Sequence, residues 1–127
     1  MNKKLWLMLP VAAILSSCQT WGPTWSEVTG ARYTRTEMYR LPSSIERVDD
    51  QGSFASNPIK ITPGVHEIQV SGTLRGWPGA NLQMMKLDAQ PCMRYYINNQ
   101  YQNFVDPNYT PVIDYAETIA GCRVPTA

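Results

Sequence analysis

The chain has 127 residues and a formal net charge of +1, with 17% charged and 43% hydrophobic side chains, a composition that suits one domain with a modest core. Acidic and basic residues are interspersed, with no run of like sign longer than two. Neither the basic stripe of a nucleic-acid binder nor a polybasic membrane patch is present, so no nucleic-acid partner is expected.

Lys3 and Lys4 open the chain, followed by the apolar run Leu5 to Leu15, LWLMLPVAAIL. Crossing a bilayer core takes about 20 apolar residues; this run has instead the length of a signal-peptide hydrophobic region. Leu15, Ser16, Ser17 and Cys18 follow. They resemble the lipobox of bacterial lipoproteins: an aliphatic residue, two small residues that let a peptidase grip the backbone, and a cysteine whose thiol takes a diacylglycerol. The resemblance implies loss of a 1–17 signal peptide and a mature chain starting CQTWGPTW. It also implies covalent diacylglycerol and N-acyl chains on Cys18, with no other cofactor. More than one acyl chain is what stable anchoring requires. In that family an Asp after the cysteine retains the protein in the inner membrane. Gln19 stands there in this chain, which implies an outer-membrane anchor and a domain on the periplasmic face. Trp21 and Trp25 have two readings, in the headgroup region where indoles are favoured, or packed on the domain.

With Cys18 assigned to lipid, Cys92 and Cys122 remain. In an oxidising compartment a disulfide between them is the default. A redox or metal pair is the alternative, but the chain has no CxxC, its one histidine is His66, and a structural zinc site wants four close ligands.

Residues 18–42 read as a lipidated tether and irregular arm, with one short strand near Ala31 to Met38. A domain over 43–122 and a tail over 123–127 follow. In the domain, runs with strand chemistry alternate with turns: SIERVDD (44–50), PIKI (58–61), VHEIQV (65–70), LQMMKLDA (82–89), CMRYYINNQY (92–101) and PVIDYAETI (111–119). Asp50-Gln51-Gly52, Pro63-Gly64 and the GWPG of 76–79 punctuate them. Ten prolines and eight glycines are spread along the chain, and no window of the mature chain sustains a helical period. The expected fold is all-β: a small antiparallel β-sandwich of six or seven strands with one disulfide.

The run Ile59 to Val70, IKITPGVHEIQV, resembles the strand, Pro-Gly turn and antiparallel return strand of PEGA-type surface domains, with Val65, His66, Ile68 and Val70 on the returning strand. The upstream SIERVDDQG resembles the strand and turn that precede it there, with Gln51 intervening between Asp50 and Gly52. PC-x-RYYIN, TPVIDYAE and AGC resemble segments of small proteobacterial envelope lipoproteins. The PEGA-like resemblance implies a compact sandwich, PEGA-like or immunoglobulin-like, without catalytic residues.

No catalytic or metal site is expected. His66 lies in a strand beside Glu67, is expected to be partly exposed, and no serine sits in a GxSxG elbow. The acidic residues do not follow a calcium-loop spacing, and DDQG reads as a turn. In CMRYYINNQY, alternation puts Tyr95, Ile97, Asn99 and Tyr101 on one face and Cys92, Arg94, Tyr96 and Asn98 on the other. If Cys92 points inward, Tyr96 joins it. Trp77, Arg94, Tyr95 and Tyr101 are then the candidate recognition patch, of a kind that favours aromatics and Arg. The alternative is that these tyrosines fill cross-strand positions.

The expected function is a non-enzymatic, membrane-anchored accessory or binding component of the envelope, its partner an envelope protein or peptidoglycan. Two rivals are a glycan-binding module using 94–101 and a periplasmic inhibitor of a hydrolase of the lysozyme kind. The inhibitor would need a wedge-bearing loop, and GWPGAN offers only Trp77.

Overall fold

A computed structural model describes residues 22–32, 37–52, 54, 57–72 and 81–125. The segment expected as a signal peptide (1–17), Cys18, Trp21 and Trp77 lie outside the described residues. Among those described there is no helix, and there are nine strands: β1 (Ser26–Thr29), β2 (Arg40–Pro42), β3 (Ser44–Val48), β4 (Gln51–Gly52), β5 (Ile59–Ile61), β6 (Gly64–Ser71), β7 (Gln83–Ala89), β8 (Met93–Tyr101) and β9 (Tyr109–Thr118).

Two sheets form. In the first, β8 is central: β9 lies along one edge, β1 and β2 share the other, and β5 lies beyond β1. The second runs β4-β3-β6-β7. This is a small β-sandwich pinned by a Cys92–Cys122 disulfide, as the sequence predicts. All pairs are antiparallel but one, because β1 runs parallel to β8 with Glu27 opposite Arg94.

The sheet reaches back into the segment expected as tether and arm. Described residues of 31–38 are not in a strand; strands flank that stretch, as β1 and β2. SEVT in β1 has no apolar alternation to announce it. It is nonetheless wholly buried, because β5 and β8 flank it and Arg94 neutralises Glu27 at 3.0 Å. The chain changes sheet between β2 and β3 through Ser43, a single residue. Its amide donates to Gly30 O at 3.1 Å and its hydroxyl to Ile97 O at 2.5 Å. Gly30 must lack a side chain there, since a Cβ would lie 2.0 Å from Ser43 O.

Asp49 and Asp50 turn β3 into β4, with Val48 opposite Gln51 and Asp49 at φ 52°. Pro63-Gly64 does not close a hairpin, as the resemblance to PEGA-type domains implied. β5 pairs with β1, whereas β6 pairs with β3 and β7. The turn, with Gly64 at φ 122°, is an arch between sheets. That arrangement lets Ile59 and Ile61 face Ile68 and Val70 across the interior, instead of lying beside them in one sheet.

The core comprises Val28, Ile59, Ile61, Tyr95, Ile97, Tyr101 and Tyr109 from the first sheet, with Val48, Ile68, Val70, Leu87 and Ala89 from the second. Each fully buried aliphatic side chain contributes about 1.5–3 kcal/mol, so these two rows carry most of the favourable term.

Candidate functional site

The tyrosine-rich strand is mostly interior. Tyr95 and Tyr101 are 7% and 2% exposed, and Asn98 and Asn99 are fully buried. Tyr95 and Tyr101 therefore do not join Arg94 in the candidate patch; they fill interior positions, the alternative reading of this strand. The reason is local. Cys92 precedes the strand with φ 61°, which breaks the pleat, so its inward side chain does not set the parity of residues 93–101. The inward set is Tyr95, Ile97, Asn99 and Tyr101, and these residues fill core positions. Tyr95 Oη accepts the Gln90 amide at 2.8 Å. Asn99 Nδ2 donates to Ser71 O at 3.0 Å. Asn98, on the other face, holds Gly30 O and Ala31 O at 3.3 and 3.0 Å. Neither asparagine is offered to a sugar.

Arg94 lies on the outer face of the first sheet, but it is engaged. Its Nη2 is 3.0 Å from Glu27 Oε2 and its Nη1 2.8 Å from Glu117 Oε1. Tyr96 Oη donates to the same Glu117 oxygen at 2.6 Å. Tyr96 and Arg94 together lower the Glu117 pKa, and the bond to Glu117 raises that of Arg94. This group staples β1, β8 and β9 side by side. Farther along, Arg40 bonds Asp114 at 2.7 Å, beside the irregularity in β8–β9 pairing that comes after Tyr96.

Of several concavities among the described residues, one has the histidine in its wall. A notch of about 270 Å³ opens where the edges of β4 and β5 face each other, walled by Val48, Phe54, Ile59 and Ile61, with Asp49, Lys60, Thr62 and His66 supplying polar groups. His66 is buried, at 9% exposure, not partly exposed as the sequence suggested. The alternation that turns Ile68 and Val70 inward turns His66 inward too; that signal was present in VHEIQV and its consequence for the histidine was missed. Nδ1 is 2.7 Å from Asp49 Oδ2, while Nε2 is 2.6 Å from Thr62 O and 3.3 Å from Thr62 Oγ1. Asp49 Oδ1 also accepts the Glu67 amide at 3.0 Å. That backbone bond, and then His66, hold the Asp49 carboxyl below the usual range.

Thr62, His66 and Asp49 stand in the order hydroxyl, imidazole, carboxylate, which is the order of a hydrolase triad. The geometry does not support that chemistry. The near neighbour of Nε2 is the Thr62 carbonyl, at 2.6 Å, whereas Thr62 Oγ1 stands off at 3.3 Å, so the hydroxyl is not the group this nitrogen engages most closely. Both ring nitrogens face acceptors. His66 instead straps the Asp49 turn to the β5–β6 arch. The notch is also just smaller than the roughly 300–1,000 Å³ of pockets that enclose drug-sized ligands. Among the described residues, no three His, Cys, Asp or Glu side chains converge as metal ligands.

Trp25 packs on the domain. It is half-buried, and Lys60 Nζ sits 4.7 Å from its ring. No protein-family model, curated protein or solved structure matches this chain.

Proposed function

We propose that the protein is a non-enzymatic lipoprotein, held by acyl chains on Cys18 in the outer membrane and facing the periplasm, whose β-sandwich serves as an accessory or binding component of the envelope. The observation that carries this reading is the cysteine assignment. Cys92 and Cys122 are consumed by one disulfide, and the third cysteine is the one that ends LSSC after an eleven-residue apolar run. A disulfide fits an oxidising compartment, and Gln19 in place of Asp supports the outer membrane over the inner. The engaged nitrogens of His66 support a role without catalysis. The burial of Tyr95, Asn98, Asn99 and Tyr101 removes the support that the glycan-binding rival drew from that strand.

Mass spectrometry of the mature N-terminal peptide and membrane fractionation test the anchor. Acyl mass on Cys18, and its loss together with release from membranes in Cys18→Ala, is the expected result. A Cys18→Ala protein that stays in the membrane fraction refutes the proposal. Cross-linking the acylated protein in intact envelopes then separates a protein partner from co-purified muropeptides.

A further inference from the structure

We infer that the disulfide end of the sandwich is the end that faces the lipid surface; this rests on the anchor reading above. The strands define two ends. β1 and β8 start at one end and β9 finishes there, where Ile119 N donates to Cys92 O at 2.9 Å. The β5–β6 arch lies at this end too, because Ser26 is opposite Ile61 and Gly64 opposite Ala89. At the other end are Met38, Tyr39 and the β8–β9 loop, with Tyr101 N on Tyr39 O at 2.9 Å and the Tyr39 and Phe104 rings 5.0 Å apart.

The chain enters the domain at the disulfide end and is tied down at once. Arg123 N donates to Pro23 O at 2.8 Å, Cys92 N to Trp25 O at 2.9 Å, and Thr24 Oγ1 to Arg123 O. The Trp25 amide meets Cys122 Sγ at 3.4 Å. Only Gln19 to Gly22 separate Cys18 from the first tied residue. Fully extended, that stretch spans no more than about 18 Å. β8 has nine residues, and so is about 30 Å long. Turning the far end toward the membrane would lift the attachment point farther from the bilayer than the tether reaches. The exposed apolar tip there, with Met38 and Val105 each 73% exposed, is thus kept off the bilayer.

Charge opposes lying down. The outer face of one sheet carries Arg94, Glu117 and Arg40, and that of the other Glu67, Lys86 and Asp88, all costly to dehydrate against lipid. At the disulfide end the turns TPGV (62–65), QPC (90–92) and AGCRV (120–124) carry only the charge of Arg123, while the β3–β4 turn adds Asp49, bonded to His66, and Asp50. Val65 and Val124 there are 66% and 62% exposed.

The test uses the acylated full-length protein in phosphatidylethanolamine–phosphatidylglycerol vesicles carrying a headgroup quencher. A fluorophore is placed by Val65→Cys, Met84→Cys, Tyr115→Cys or Val105→Cys. The label at 65 should be quenched several-fold more than that at 105, with 84 and 115 between them. A long Gly-Ser insert after Gln19 should erase the difference. Equal quenching at 65 and 105, stronger quenching at 105, or quenching at 84 or 115 equal to that at 65 overturns the inference while the anchor stands. Absence of acyl mass, with failure to float with vesicles, overturns the anchor reading and this inference together.

Discussion

Asn99 in β8 donates its side-chain amide to Ser71 O in β6 over 3.0 Å, from one sheet of the sandwich to the other. Both residues are buried. Beside this bond Tyr101 and Tyr109 lie with ring centroids 5.4 Å apart, and both crowd Gly72, where a Cβ would sit 2.7 Å from Tyr101 Oη and 2.9 Å from Tyr109. Asn99→Leu should remove this buried bond between the sheets, at a cost of about 0.5–1.5 kcal/mol. Urea unfolding reads this directly; a variant as stable as the parent would show that the bond does not hold the sheets together.

The two tyrosines should behave differently when their hydroxyls are removed. Tyr109 Oη donates to Val70 O at 3.2 Å and also to Asn81 O, whereas Tyr101 Oη is buried without a partner. Tyr109→Phe should therefore destabilise by about 1 kcal/mol, while Tyr101→Phe should be neutral or stabilising. Thermal unfolding of the pair checks the contrast, and equal losses would count against it.

Burial, followed by the nearby Tyr101 and Glu46, pushes the Tyr109 hydroxyl up to about 12. Because the folded state holds this proton more tightly than the unfolded chain, the associated stability is complete below about pH 10. It is lost as pH rises through about 12, in the direction that linkage requires. Phenolate absorbance should show a late-titrating component, to which Tyr96 also contributes, that shrinks by one tyrosine in Tyr109→Phe.

Asp49 provides the acid counterpart. Its carboxyl is lowered, first by the Glu67 amide and then by His66. Its contribution is present above the ordinary carboxylate value of about 3.9 and is lost as pH falls below that range. The side chain is half-exposed, so solvent screening keeps the effect modest. Asp49→Asn, which keeps an acceptor for the Glu67 amide, should flatten the acid limb of the stability–pH profile. An unchanged limb would place the acid sensitivity elsewhere.

Replacing both Cys92 and Cys122 with Ser should cost about 3–4 kcal/mol on the chain-entropy model, since the bridge closes a loop with a sequence separation of 30. Alkylation of the folded, unreduced protein should label neither thiol; labelled cysteines would refute the bridge in the native molecule.

Strand content was legible because it is written in short-range chemistry. SIERV, IKI, VHEIQV, QMMKLDA and the tyrosine run all combine strand-forming residues with flanking turns, and all are strands in the structure. β1 was not legible: SEVT becomes a buried strand only because β5 and β8 pair along both its edges and Arg94 neutralises Glu27. The face of β8 was not legible from Cys92 either, because its positive φ lies in backbone geometry outside the pleat.

Local sequence determined that this chain forms β-structure, that its turns fall at DDQG and PG, and which two cysteines were left to pair. Alternation and turn chemistry act over a few residues, so one strand and its neighbours suffice to express them. Which strands pair, that the Pro-Gly turn arches between sheets, that β8 buries Tyr95 and Tyr101 and that His66 spends both nitrogens on a strap were decided by the tertiary structure alone. Those outcomes depend on contacts between residues far apart in the chain, such as Trp25 with Cys122 and Asp49 with His66, whose energies exist only once both sheets have closed over one interior.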